Sequence, residues 1–207
     1  MKIGIDIDGV ILDFERTMRT YAELYDALIL KKDGVNDKNE FSYLNRYDWT
    51  KEEKNIFINN YLVYATINST PLIPLAKTML EIFDKENIEY FFITARGLVK
   101  KETKEAIIEV FNKNNIDTSN IYFAVSDKVD MCKKLGIDIM IEDNPNTCIQ
   151  LINNSIKTLY FRDKESKIIN NSEYIKEVSN VGEIVRYVLN IKGFNNDKNV
   201  YEKILKK

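Results

Sequence analysis

The sequence predicts an α/β fold: a Rossmann-like parallel sheet flanked by helices, with a small helical cap inserted after the first strand. Three observations carry that reading. The first strand, Lys2-Ile3-Gly4-Ile5-Asp6-Ile7-Asp8-Gly9-Val10, has the isoleucines of a buried strand, and Gly9 supplies the turn that ends it. From Pro74 onward, apolar runs of strand length alternate with segments of helical period, the rhythm of right-handed βαβ crossovers. Between those two regions the chain is helical in period with no strand.

Each element follows from its local pattern. Residues Phe14 to Leu30 read as one helix, with Met18, Tyr21, Leu24, Tyr25 and Leu28 on one stripe. A polar loop, Lys31 to Glu40, follows. Thr50 and Glu53 form a capping box that opens a second helix through Phe57, Tyr61 and Leu62. Pro71 and Pro74 punctuate the chain before a helix from Leu75 to Lys85. Next come a strand Ile88–Thr94, a helix Lys100–Lys113, a strand Ile121–Val125 and a helix Lys128–Leu135 stopped by Gly136. A strand Ile137–Ile141, a helix beginning at Pro145, a strand Ile156–Phe161 and a helix Val181–Ile191 complete the alternation. The tail beyond Gly193 is a short extra helix or a frayed end. The expected organisation is a core of residues 1–13 and 75–207 with a cap of 14–74.

Composition narrows the chemistry. The 207 residues are 44% hydrophobic and 30% charged, with a net charge of −2, which argues against non-specific nucleic-acid binding. No apolar stretch approaches transmembrane length and no signal peptide is visible, so the expectation is a cytoplasmic protein with no membrane partner. Cys132 and Cys148 fall in predicted helices without metal-ligand spacing and read as small buried hydrophobes. Histidine is absent, which removes Ser-His-Asp triads, Cys-His proteases and His-ligated zinc. Acid–base work must fall to carboxylates, Lys, Tyr or a metal-bound water.

The remaining signals sit at strand ends. Asp is a poor strand former, and two at alternate positions, Asp6 and Asp8, add like-charge repulsion with no local return. A divalent cation would make that pair worthwhile. Thr94-Ala95-Arg96-Gly97 closes another strand with a hydroxyl and a turn, which suits a phosphate oxygen or merely caps the next turn. Lys128 stands at a helix start, where a cation opposes the macrodipole and so asks for a local anion. Glu142-Asp143-Asn144-Pro145 ends a third strand with two adjacent acids. In a parallel sheet all of these lie on one edge, where α/β folds build their sites.

In this order and spacing, Asp6-Ile7-Asp8-Gly9-Val10, Thr94, Lys128 and Glu142-Asp143 resemble the four motifs of the haloacid dehalogenase superfamily. The cap resembles that superfamily's helical insertion. The Ile93-Thr94-Ala95-Arg96 and Ile141-Glu142-Asp143-Asn144-Pro145 runs are similar to its 5′(3′)-deoxyribonucleotidase-like group. The resemblance implies a Mg²⁺-dependent phosphate-monoester hydrolase, a nucleotidase by the narrower likeness and a sugar-phosphate phosphatase as the alternative. Asp6 would be nucleophile and metal ligand, and Asp8 general acid and base with its backbone carbonyl on the metal. Asp143 would be the third protein ligand, with Glu142 adjusting a metal-bound water. Lys128, Thr94, Ala95 and Arg96 would hold the phosphate. The expected partner is a small phosphorylated metabolite, with a homodimer as a candidate assembly. Phe41, Tyr43, Tyr47 and Trp49 lie between the predicted cap helices, and Trp49 is expected to stack on a nucleobase.

Two other classes use similar residues. A signalling receiver domain also combines acids, a Thr and a Lys on a parallel sheet, but its Lys follows every acid. Here Glu142 and Asp143 follow Lys128. A non-catalytic scaffold would have no use for the full set of reactive residue types.

Overall fold

The computed structural model describes residues 1–162, 167–170, 172–193 and 198–206. A six-stranded, wholly parallel sheet forms the centre, in the order β3-β2-β1-β4-β5-β6. Its strands are β1 (Lys2–Ile5), β2 (Glu89–Ile93), β3 (Ile121–Tyr122), β4 (Ile139–Glu142), β5 (Lys157–Phe161) and β6 (Ile175–Val178). The helices of the core are α3 (Ala76–Lys85), α4 (Glu102–Lys113), α5 (Lys128–Leu135), α6 (Pro145–Asn153), α7 (Val181–Lys192) and α8 (Lys198–Leu205). Among the described residues, no helix is long and apolar enough to cross a membrane.

β1 is buried because both its faces are covered. Ile3, Ile5 and Ile7 are inaccessible to solvent and pack with Phe83 and Ile107 in one continuous core. Gly136 ends α5 in the left-handed conformation at φ 66°, the stop read from the sequence. Asn144 caps α6 by accepting the Asn146 N–H, with Pro145 at the first helical position.

The helical insertion holds α1 (Phe14–Tyr25) and α2 (Lys51–Asn68). The capping box at Thr50 and Glu53 is present in both directions. The chain leaves and re-enters the core through two paired connections: the Asp13 N–H donates to Pro71 O and the Ile73 N–H to Ile11 O.

Several elements differ from the sequence reading. The helix expected to run to Leu30 ends at Tyr25 and continues as one π-helical turn, Asp26–Leu30, stopped by Lys31 at φ 55°. At the change of winding, the Asp26 carboxylate accepts the Trp49 indole N–H and the Gly34 backbone N–H. The apolar stripe ends with it: Tyr25 is buried, but Leu24 and Leu28 are exposed. β3 stops at Tyr122 instead of Val125, because Ala124 turns to φ 57° and gives its N–H to Arg96 O, while the Val125 N–H goes to Thr94 O. The strand end is diverted to brace the Thr94–Arg96 turn. β6 was not expected; only Val178 of its four residues is buried, so its sequence carries almost no apolar signal. The tail resolves as α8, which packs on α3.

Candidate active site

The carboxyl edge of the sheet gathers the strand-end residues into one site. Asp6 continues β1, its N–H donating to Ile141 O of β4, so its carboxylate faces Glu142 and Asp143. Carboxylate oxygens of Asp6, Glu142 and Asp143 all lie within 4.8 Å of one another. Lys128, the first residue of α5, reaches back to this cluster. Its Nζ lies 2.8 Å from Asp6 Oδ1 and 2.6 Å from Glu142 Oε2, the anions its place at a helix start called for. Glu142 Oε1 also accepts the Asn144 N–H.

The electrostatics are those of too many acids for one ammonium. Burial raises the Asp6 carboxyl to about 7; Lys128 opposes the rise, while Glu142 and Asp8 add to it. Asp143 is likewise raised, by burial first and then by Glu142, Asp6 and Glu15. Burial disfavours the Lys128 charge, but Asp6 and Glu142 outweigh it and hold the ammonium firmly protonated. An all-oxygen donor set this compact suits a hard divalent cation such as Mg²⁺, whose charge would relieve the crowding. The residues present therefore fit the ion.

Gly9 makes the geometry possible. It has φ 77°, and a Cβ there would stand 1.8 Å from Asp143 Oδ2. The Asp143 carboxylate is thus packed directly against the β1 turn.

Asp8 points elsewhere. Its carboxylate is gripped in a bidentate pair by Arg96, with Nε to Oδ2 at 2.7 Å and Nη2 to Oδ1 at 2.8 Å. The same guanidinium stacks on the Phe14 ring of α1, at 4.0 Å from its centroid, and gives Nη1 to Thr66 Oγ1 of α2. Arg96 was expected among the phosphate-holding residues; here it joins Asp8 to both insertion helices. Thr94 is buried, and its Oγ1 accepts the Arg96 N–H, the turn-capping role. A hydroxyl that accepts one bond still has its proton to donate. Ala95 is exposed on that turn.

Trp49 is corrected outright. It is 5% exposed, stacks on Tyr47 at 4.7 Å and meets Tyr25 edge-on at 5.1 Å. Its N–H is spent on Asp26. Tyr43 and Tyr47 are buried with it, and Phe41 alone of the four lines the cleft. An indole whose polar atom finds a buried partner gains more inside the insertion's core than in a solvated loop.

The cleft over the site encloses about 520 Å³ between the insertion and the sheet edge, with Gly9 and Asp143 on its floor. The sequence reading missed several of its walls: Glu15, Arg16 and Arg19 of α1, Arg162 after β5, and Asn180 before α7. Their helical periodicity marked α1 residues as surface, and nothing local showed that this surface faces the sheet edge. Burial raises the Glu15 carboxyl to about 7, against the pull of Arg19.

No known family profile matches this sequence, and no curated protein resembles it in sequence. Solved structures do resemble its fold. A family IA, variant 3 haloacid dehalogenase hydrolase from Entamoeba histolytica superposes over 100% of this chain and 99% of its own, with TM-score 0.61 at 12% identity. A predicted phosphoglycolate phosphatase from Haemophilus somnus aligns over 90% of this chain and 96% of its own, with TM-score 0.60 at 13% identity. CbbY from Rhodobacter sphaeroides, solved in complex with phosphate, aligns over 88% and 95%, with TM-score 0.58 at 15% identity. At these identities the likeness establishes a shared fold, the haloacid dehalogenase-like α/β fold.

Proposed function

We propose that this chain is a Mg²⁺-dependent phosphate-monoester hydrolase acting on a small phosphorylated metabolite. The observation that carries the proposal is the buried cluster of Asp6, Lys128, Glu142 and Asp143 beside Asp8, at the carboxyl edge of a haloacid dehalogenase-like sheet. Asp6 would attack phosphorus and form an aspartyl-phosphate as the ester P–O bond breaks. Asp8, released from Arg96 and protonated when substrate binds, would hand its proton to the departing oxygen, then take one from the water that cleaves the acyl phosphate. Lys128 would neutralise phosphoryl charge while holding Asp6 in line, and Thr94 would donate to a phosphoryl oxygen. Mg²⁺ held by Asp6, Asp143 and the Asp8 backbone carbonyl, with Glu142 adjusting a bound water, would offset the repulsion between phosphate dianion and carboxylate. The 14–74 insertion would act as the lid that excludes water from this chemistry.

Sugar phosphates and related metabolites fit the cleft, because Glu15, Arg16, Arg19, Arg162 and Asn180 in its walls can bond hydroxyl groups. CbbY, which shares the fold, binds phosphate. The nucleotide reading keeps one support: Phe41 and Phe161 line the cleft and offer faces to a base.

The test is phosphate release from p-nitrophenyl phosphate. Turnover with Mg²⁺, its loss on chelation by EDTA and its return with added Mg²⁺ are expected. Full activity after exhaustive chelation would remove the metal from the mechanism. A panel of hexose, pentose and nucleoside phosphates would then rank the substrates, and a clear win for nucleotides would restore the nucleotidase reading.

A further inference from the structure

We infer that Glu15 selects the substrate by accepting a hydrogen bond from a hydroxyl group of the leaving alcohol. The inference rests on the hydrolase reading and sharpens it to phosphate monoesters of polyhydroxylated alcohols.

Glu15 stands in the first turn of α1, inside the lid, and lines the same cleft as Gly9 and Asp143. Its carboxyl takes a hydrogen bond from the Tyr43 backbone, yet Oε2 is buried with no hydrogen-bond partner among the described residues. An acid in a helix's first turn has a bland explanation in the macrodipole, but that benefit is available to an exposed side chain. Burying an unpartnered carboxylate oxygen costs more than the dipole returns. A donor presented in the cleft, which Glu15 lines, would satisfy this oxygen.

The neighbours say what kind of donor. The charges acting on Glu15 are those of Arg19, Asp8 and Arg96. Two arginines already supply positive charge, so a neutral O–H fits better than a further cation. Asp8 is the group assigned to the leaving oxygen, whereas Lys128 attends the phosphoryl side. Glu15 bears on Asp143 as well as on Asp8, and on its Asp8 side the substrate presents its alcohol portion. Rotation about the terminal Cγ–Cδ bond is soft, so either oxygen can be presented to it.

The experiment compares two esters that differ only in hydroxyl groups, glycerol 3-phosphate and n-propyl phosphate, at saturating Mg²⁺ and at a pH above about 8, where the Glu15 carboxyl, raised to about 7, is ionised. The intact enzyme is expected to favour glycerol 3-phosphate by at least roughly tenfold in kcat/KM, the scale of one hydrogen bond to a charged group. Glu15→Ala should bring that ratio below about threefold, chiefly by raising KM for glycerol 3-phosphate. Glu15→Gln, which keeps one acceptor oxygen, should give an intermediate ratio. Where alanine destabilises the lid, Glu15→Met preserves bulk and removes the acceptor, and circular dichroism confirms folding. Equal losses on both esters, or an unchanged ratio, would overturn the inference. So would a shift in the Mg²⁺ concentration dependence with the ratio intact, since Glu15 would then serve the metal. Glucose 6-phosphate and a nucleoside 5′-monophosphate, run in parallel, identify which polyol source loses most in Glu15→Ala. If p-nitrophenyl phosphate itself is not hydrolysed, the hydrolase reading fails and this one with it. If it is hydrolysed while the ratio ignores Glu15, only this inference fails.

Discussion

A methyl group on residue 9 has nowhere to go, because Asp143 Oδ2 already occupies that volume and the φ of 77° disfavours any side chain. Gly9→Ala should displace Asp143 or open the β1 turn, with a fall in kcat/KM of about a hundredfold and a weaker Mg²⁺ requirement curve, as small misplacements of reacting groups cost that much. Phosphate-release kinetics against Mg²⁺ concentration would read both; unchanged kinetics would deny Asp143 its place in the site. Asp6 and Asp8 divide by environment in the same way. Asp6 sits against Lys128, whereas Asp8 is held by Arg96. Asp6→Asn should abolish turnover on every ester. Asp8→Asn should lose much more on alkyl phosphates than on p-nitrophenyl phosphate, whose leaving group hardly needs a proton. Equal losses on both esters would contradict proton transfer by Asp8.

At the scale of elements, the helical insertion is held by an aromatic cluster whose members come from α1, α2 and the connection between them. Tyr25 meets Trp49, Phe57 and Tyr61 at ring distances of 5.1, 5.3 and 5.7 Å. Removing a buried indole costs about 3–5 kcal/mol. Trp49→Ala should therefore lower the melting temperature and loosen the lid, raising KM for every substrate together. A selective loss of nucleotides alone would revive a base-stacking role. The insertion's short π turn belongs to the same cluster, since the Asp26 carboxylate at its start anchors the indole.

At the scale of the molecule, a buried acid joins the C-terminal helix to the core beside the packing of Tyr201 and Ile204. Glu86, just after α3, accepts hydrogen bonds from Tyr201 of α8 and Lys192 of α7. Burial opposes ionisation of Glu86, but Tyr201 and Lys192 outweigh it, and its carboxyl lies below the ordinary Glu value. A depressed folded-state carboxyl stabilises the fold above its unfolded value near 4.5, and that contribution disappears as pH falls through the folded value. Glu86→Gln should lower stability by about 1–3 kcal/mol at pH 7. The gap between variant and parent should shrink below about pH 4. Chemical denaturation at the two pH values measures this; a gap independent of pH would assign the cost to shape alone.

The sequence by itself determined the parallel sheet, because isoleucine-rich strands and helix-length spacers allow few other arrangements, as in β1 and the crossovers that follow it. It also determined which residues share the sheet edge: Asp6, Asp8, Thr94, Lys128, Glu142 and Asp143 each end a strand or begin the helix after one, and in a parallel sheet those ends face one way. Tertiary structure alone decided how that edge is used. Arg96 and Asp8 lie 88 positions apart and meet only because β2 pairs with β1. Trp49 went inside the insertion because Asp26, across a loop, could take its N–H. Glu15 came to face the cleft because α1 folds back over the sheet edge, a direction set by two paired connections to the core. Local pattern encodes period and burial, whereas the partner that satisfies a charge is chosen by contacts between segments remote in the chain.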